Sequence, residues 1–186
     1  MNTTLPDRMK IIRATEADLP AISKLAEIIW RACYPGIITT DQIDYMLARM
    51  YALETMSEEI QLQGIRYERL LAGNQLAGFA SYGPTEAGTP RCGVRTAQHA
   101  VPTFKLHKLY LHPHWQGRGL GSLLLQHCER EAGGLGARRL VFSVNKRNAR
   151  AIQAYQRNGF AIAGAVVTDI GGGFVMDDYI MAKNLA

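Results

Sequence analysis

Cysteine is scarce here: Cys33, Cys92 and Cys128 are the only three in 186 residues, widely spaced and odd in number. Such a set excludes a disulfide framework and offers no ligand spacing for a structural zinc. No apolar run nears the ~20 residues that cross a bilayer, and the polar start "MNTTLPDRMK" has no hydrophobic stretch of signal-peptide type. These absences predict a cytoplasmic protein with no membrane partner. Acidic residues are fewer than basic ones, 16 against 21, leaving a formal charge of +5. That excess helps a polyanionic ligand approach, but Lys and Arg are scattered rather than gathered into a stripe, so no nucleic-acid partner is expected. Repeats and low-complexity tracts are missing as well, and the length suits one hydrophobic core. A single domain over residues 1–186 is expected.

What is present is clear periodicity. "MKIIRAT" alternates like a strand, and "EADLPAISKLAEIIW" places Leu19, Ile22, Leu25, Ala26 and Ile29 at helical spacing. Pro35 and Gly36 break that pattern before "TDQIDYMLARMY" resumes it, with Thr40 as the expected N-cap. A third helical stretch, "SEEIQLQG", ends at Gly64. The period then changes to two, and "IRYERLLAGNQLAGFASYG" reads as a hairpin around a Gly-Asn turn. Residues 85–102 have loop composition and read as an insertion. "FKLHKLYL" is the next strand, followed by a helix to about Ala132, the strand "RRLVFSVN" and the helix "ARAIQAYQRN", which Gly159 stops. Two closing strands, "AIAGAVVTDI" and "FVMDDYIMAK", meet at "GGG". Hairpins first and strand-helix-strand later imply an α/β protein with a mixed sheet.

Three glycines at alternate positions, Gly117, Gly119 and Gly121, open the helix whose stripe runs through Leu120, Leu123, Leu124, His127 and Cys128. Each costs roughly 0.5–1 kcal/mol relative to alanine inside regular structure, so a tight turn, close packing or a ligand on the main chain must require them. At a helix N-terminus the first N–H groups lack partners and the dipole favours anions. Bare backbone there can take phosphate oxygens. The dinucleotide fingerprint fails, because Ser122 or Leu124 stands where its last glycine belongs, and no G-K-[ST] of a Walker A loop occurs.

The remaining pattern, Gln116-Gly117-Arg118-Gly119-Leu120-Gly121, resembles the Q/R-x-x-G-x-G/A signature of the GNAT-fold N-acetyltransferases. Downstream, "LVFSVNKRNARAIQAYQRNGF" resembles that family's next strand and its N-x-x-A-x-x-x-Y-x-x-x-G-F helix, and "DDYIMAK" its closing strand. The order of elements over residues 10–185 fits as well. The resemblance implies a GNAT fold with a mixed, mostly antiparallel central sheet of six or seven strands flanked by helices. It implies acetyl-CoA as acetyl donor, no metal, and direct attack by a primary amine of a small molecule or a protein. Homodimers are common in the family, though the sequence exposes no interface.

Residue by residue, the resemblance places the CoA pyrophosphate on Gln116, Gly117, Arg118, Gly119, Leu120, Gly121 and Ser122, and the pantetheine arm along Leu109, Tyr110 and Leu111. Asn148 matches a cofactor-contacting asparagine and Tyr155 the tyrosine near the thioester sulfur; their rival readings are a helix N-cap and a buried aromatic. Trp30 and Tyr34 lie between the first two helices, where the family shapes its acceptor pocket; core packing is their alternative fate. An alkylammonium of pKa ~10.4 must lose a proton before it attacks, which costs roughly 4–5 kcal/mol at pH 7, and an oxyanion then needs a donor such as a strand N–H near Leu111. Tyr155 is the expected proton donor to the departing thiolate. The family's usual glutamate position, eleven residues before Gln116, holds Lys105 instead. His107, two residues on and expected on the same strand face, is the candidate base, with a structural histidine as the alternative. His112 and His114 lack a third ligand at metal spacing and read as a solvated turn. Asp177, Asp178 and Tyr179 either attract a cationic amine or stay solvated. Two alternatives to acetyl transfer stay open: a non-catalytic acyl-CoA sensor or recruiting module, and a longer acyl chain.

Overall fold

The structure, a computed structural model, describes residues 9–85 and 101–185. Cys92 and most of the segment read as an insertion lie outside them. In chain order the elements are β1 (Met9–Arg13), α1 (Leu19–Cys33), α2 (Thr40–Met50), α3 (Leu53–Gln61), β2 (Arg66–Ala72), β3 (Gln75–Pro84), β4 (Thr103–Leu111), α4 (Leu120–Gly134), β5 (Arg139–Asn145), α5 (Ala149–Arg157), β6 (Ala161–Gly171) and β7 (Phe174–Asn184). The helical boundaries shift slightly from those the sequence predicts. Glu16–Asp18 forms a 3-10 turn closed by a Thr15/Asp18 capping box, so α1 begins at Leu19. Thr39 rather than Thr40 caps α2, its hydroxyl accepting from the Gln42 N–H at 3.2 Å. α3 starts and ends earlier than the "SEEIQLQG" pattern suggests, turning Met56 inward.

The seven strands form one sheet in the order β1-β2-β3-β4-β5-β7-β6, antiparallel except between β4 and β5. Helices cover both faces, as a mixed sheet with two apolar sides requires. Leu124, Leu125, Cys128 and Ala132 of α4 pack with Leu106, Leu140, Phe142 and Met181 on one face. On the other, Ile22, Ile29 and Trp30 of α1 join Met46, Met56, Tyr67 and Phe79. Cys128 is buried, as its place on the helix stripe predicts. Among the described residues no helix is long and apolar enough to cross a membrane.

Two details of β4 prepare the site. Its parallel contact with β5 is short, running only from Thr103↔Arg139 to Lys105↔Val141. Beyond it β4 continues to Leu111 and β5 to Asn145 without pairing, so the two strands part. On its other edge β4 is held by β3, where a Cβ on Gly78 would come within 2.6 Å of the Tyr110 carbonyl and 2.5 Å of the Leu111 side chain. Only glycine permits that approach, which keeps the end of β4 against β3.

A buried ion pair braces the same strand. Lys108 is 1% exposed, and its ammonium donates to both Glu59 oxygens at 2.8 and 2.6 Å and to the Tyr67 hydroxyl at 2.7 Å. Burial lowers the lysine's pKa below the ordinary value, with Glu59 acting in the opposite sense. The ammonium also lies over the Tyr51 and Tyr67 rings.

Candidate active site

The gap between β4 and β5 exposes backbone. His112 donates its N–H to Ala77 across the β3 edge. By antiparallel alternation, Leu111 and Leu109 turn their N–H and C=O groups the other way, into the gap. The Leu111 carbonyl already accepts from the Gln116 side chain at 3.1 Å, and that amide also reaches the Cys33 sulfur. Gln116 therefore ties the end of β4 to the glycine turn and to α1.

The turn itself explains its glycines. Gly117 and Gly119 have φ of +76° and +77°, and a Cβ on either would meet nothing within 4 Å. The first requirement is thus backbone conformation, and the second is open space on the outer side. Gly119 is the N-cap of α4, and the first intrahelical bond runs from the Leu123 N–H to its carbonyl. That leaves the N–H groups of Leu120, Gly121 and Ser122 without an intrahelical acceptor at the positive end of a 15-residue helix. Arg118 stands beside them, its guanidinium over the Trp115 ring at 5.0 Å. The Ser122 hydroxyl accepts from Asn158 at 2.9 Å, clasping the start of α4 to the end of α5.

Across the gap, α5 begins where β5 ends. Asn148 serves as its N-cap, accepting from the Ala151 N–H at 3.2 Å, which is the structural alternative the sequence offered for that residue. Two turns on, Tyr155 packs its ring on Phe142 at 4.3 Å and on Phe160 at 6.4 Å. Phe142 is the first residue of β5 after its pairing with β4 ends, so Tyr155 borders the split. Burial pushes its hydroxyl up to about 12, and it keeps its proton at neutral pH.

The other wall is aromatic. Tyr34, the C-cap of α1, stacks on Trp30 at 4.4 Å and shares a 3.3 Å hydrogen bond with the Tyr110 hydroxyl on β4. Burial raises both phenols well above their ordinary values; Tyr110 adds to the rise at Tyr34, whereas the hydrogen bond with Tyr34 opposes it at Tyr110, and Tyr155 adds to both. Three phenols therefore converge on the gap. Trp30 does not reach it: the side chain is 1% exposed and donates to the Tyr51 hydroxyl, so it is core that backs Tyr34 rather than pocket lining.

His107 sits differently from the expectation of a shared face with Lys105. The β3–β4 register skips it, with Ser81 opposite Lys108 but Tyr82 opposite Leu106, so His107 is the extra residue of a β-bulge. Leu106 consequently faces the α4 core while Lys108 faces the α1–α3 core. Burial first, then the charges of Lys105 and Lys108, lower the His107 imidazole to about 3, and among the described residues its buried Nε2 has no partner. A group so reluctant to take a proton suits a base at neutral pH poorly.

A carboxylate that the sequence placed among weaker features is in a better position. Adjacent strand residues face opposite ways, so one of Asp177 and Asp178 had to turn inward; the doublet was the signal. Asp178 is 8% exposed and pairs in register with Asn145, the last residue of β5. Its neighbour Asp177 stays outside in an ion pair with Lys146. Burial, then Asp177, raise Asp178 to about 6, while Lys105 and Lys146 pull it down. His112, by contrast, caps its own turn, Nδ1 accepting from the His114 N–H at 3.1 Å.

An open cavity of about 400 Å³ adjoins the end of β5, lined by Gly36, Ile38, Gln42, Asn145, Arg147 and Asp177 among others. The α1–α2 connection forms its roof, held down by Gln42 to the Val175 carbonyl (2.9 Å) and Arg147 to the Ile37 carbonyl (3.2 Å).

Comparison with known proteins places this architecture. The model of the acetyltransferase (GNAT) family matches residues 24–160. The chain belongs to this family. It is 35% identical over 81 residues to an uncharacterised N-acetyltransferase of Mycobacterium tuberculosis, a match covering 44% of this chain and 51% of that protein. The chain thus spans about half the length of the curated relatives it matches. Among solved structures it is similar to the PaiA N-acetyltransferase of Thermoplasma acidophilum in complex with coenzyme A, at TM-score 0.70 and 22% identity over 95% of this chain and 98% of that one. It is also similar to YncA, a putative acetyltransferase of Salmonella typhimurium with its cofactor acetyl-CoA, at TM-score 0.65 and 25% identity over 96% and 94%. The α/β GNAT fold expected from the two motifs is the fold observed, with seven strands in one mixed, mostly antiparallel sheet.

Proposed function

We propose that the protein transfers an acetyl group from acetyl-CoA to a primary amine by direct attack, without a covalent enzyme intermediate. The observation that carries this reading is a coincidence of three features at one end of the sheet. There the β4–β5 split, the bare N-terminus of α4 and the protonated Tyr155 phenol meet. Bound acetyl-CoA supplies the activated acetyl group. The residues present fit it: the N–H groups of Leu120, Gly121 and Ser122, with Gln116, Gly117, Arg118 and Gly119, would hold the pyrophosphate. Leu109 and Leu111, with Tyr110 between them, offer the pantetheine arm an unpaired strand edge. The Leu111 N–H is a preorganised donor for the acetyl oxygen, and Tyr155 Oη gives its proton to the departing sulfur. Asn148, already bonded through Oδ1, has its amide N–H₂ to offer the cofactor. Tyr34 and the cavity under the α1–α2 connection form the acceptor side, open to a small molecule or a protein amine.

A second reading keeps the cofactor and omits turnover. Lys105 at the family's glutamate position favours it, since a protonated lysine removes no proton from an ammonium. One assay separates the two readings. Incubated with acetyl-CoA and glycinamide, tyramine, spermidine or a short peptide with a free N-terminus, the protein is expected to release CoA thiol only when amine is present, with the acetylated amine visible by mass spectrometry. Tight acetyl-CoA binding with no amine-dependent release from any of these would support the binding module instead. Propionyl-CoA in the same assay measures how far a longer acyl chain is accepted.

A further inference from the structure

We infer that Asp178, supplied from β7, is the proton acceptor of the reaction, taking the place that the family resemblance assigns to a β4 glutamate and that Lys105 cannot fill. The inference rests on the transferase reading above. Four placements carry it. Asp178 lies level with Asn145, where β5 ends beside the split. It is more than nine-tenths buried, yet among the described residues its Oδ1, itself fully covered, has no hydrogen-bond partner. A buried polar atom left unpaired costs stability unless something uses it. The charged and titratable groups that act on it are Tyr34 at the end of α1, whose phenol its charge pushes up; Lys105 of β4; Lys146 just after β5; and Asp177 of its own strand, while β6 sets the uncharged Val166 opposite it. Finally, the cavity under the α1–α2 connection is lined by Asn145, the register partner of Asp178, and by Asp177, the preceding residue of β7, so its wall lies one residue from Asp178.

The chemistry balances with this residue and Tyr155. The Asp178 carboxylate takes one proton from the acceptor ammonium, freeing the nitrogen lone pair. The N–C bond forms at the acetyl carbon and the C–S bond breaks, its electron pair leaving with sulfur, which takes the Tyr155 proton. The second proton lost by nitrogen restores the phenol, and Asp178 returns its own to solvent. One proton is released per turnover. The charge of Lys105 lowers Asp178, against the rise that burial imposes. Its value near 6 means that Asp178 is largely ionised at pH 7 and still basic enough to matter.

The test uses the full chain and the panel amine that wild-type protein acetylates fastest. Asp178→Asn should lower kcat at pH 7 by about 10²-fold or more and leave acetyl-CoA affinity, measured by calorimetry, unchanged. The deficit should shrink as pH rises and the free amine forms without help, and Asp178→Glu should recover part of the rate at pH 7. Failure of the wild-type protein to acetylate any panel amine would overturn the transferase reading. Wild-type turnover with an unaffected Asp178→Asn variant, or with a loss equal at every pH and no recovery in Asp178→Glu, would overturn the assignment of Asp178 alone.

Discussion

Tyr155→Phe is expected to lower kcat by about 10²- to 10⁴-fold while leaving the affinity for acetyl-CoA within a small factor of wild type. The substitution removes one oxygen and nothing else. The ring keeps its packing on Phe142 and Phe160, so the thermal transition should hardly move. What disappears is a phenol that burial keeps protonated across the physiological range, bordering the gap where β4 and β5 separate. A loss confined to kcat identifies a group that acts in the transition state rather than in binding. Steady-state kinetics with the fastest panel amine checks this, and an unchanged kcat would leave Tyr155 as a packing aromatic, the alternative the sequence also allowed.

The largest effect on stability is expected far from the chemistry, at Glu59. Removing it by Glu59→Ala leaves the Lys108 ammonium buried with only the Tyr67 hydroxyl to accept it. Breaking one side of such a pair costs about 3–5 kcal/mol, because an uncompensated charge remains in the interior. The pair as a whole contributes much less, since its own desolvation opposes its attraction, so Glu59→Leu combined with Lys108→Met should recover most of the loss. The sign of the pH dependence follows from the depressed lysine. Folded Lys108 binds its proton less tightly than the unfolded chain, whose reference value is 10.5, so stability rises with pH through the window below that value. Chemical denaturation at several pH values, on the single and double variants, measures both effects. A Glu59→Ala change worth only a few tenths of a kcal/mol would mean the ammonium finds water.

Much of the architecture was legible because its signals are local. Gly73 and Asn74 marked the β2–β3 hairpin, Gly159 the end of α5, and the glycines at 171–173 the last turn, and each stands where backbone of positive φ or a tight reversal demands it. The glycine turn before α4 was legible for the same reason. Features that depend on several strands at once were not. The bulge that takes His107 out of register is a property of β3 and β4 together, and alternation along β4 alone could not show it. Trp30 looked equally suited to pocket or core, and only the fold of α1 onto Phe79 and Tyr51 decides for core. Asp178 was hidden differently. Its doublet announced one inward carboxylate, but its closeness to Lys105 arises from β7 lying beside β5 in the sheet, an order that strand sequence does not carry.

With Asp178 as the proposed proton acceptor, the sheet order gives Lys105 a part as well. It stands at the last paired position of β4, where the two parallel strands begin to part. A cation there opposes the rise that burial imposes on the Asp178 carboxylate.

The most direct measurement of the central claim, that this split sheet and bare helix mouth form an acetyl-CoA cradle, is a pair of calorimetric titrations with acetyl-CoA and with S-acetylpantetheine, which lacks the pyrophosphate and nucleotide. Acetyl-CoA should bind at least about 10²-fold more tightly, a difference of about 2.7 kcal/mol or more, and Gly119→Val should remove most of that advantage by filling the space over the Leu120, Gly121 and Ser122 amides. Equal affinity for the two compounds, or an advantage that survives Gly119→Val, would contradict it.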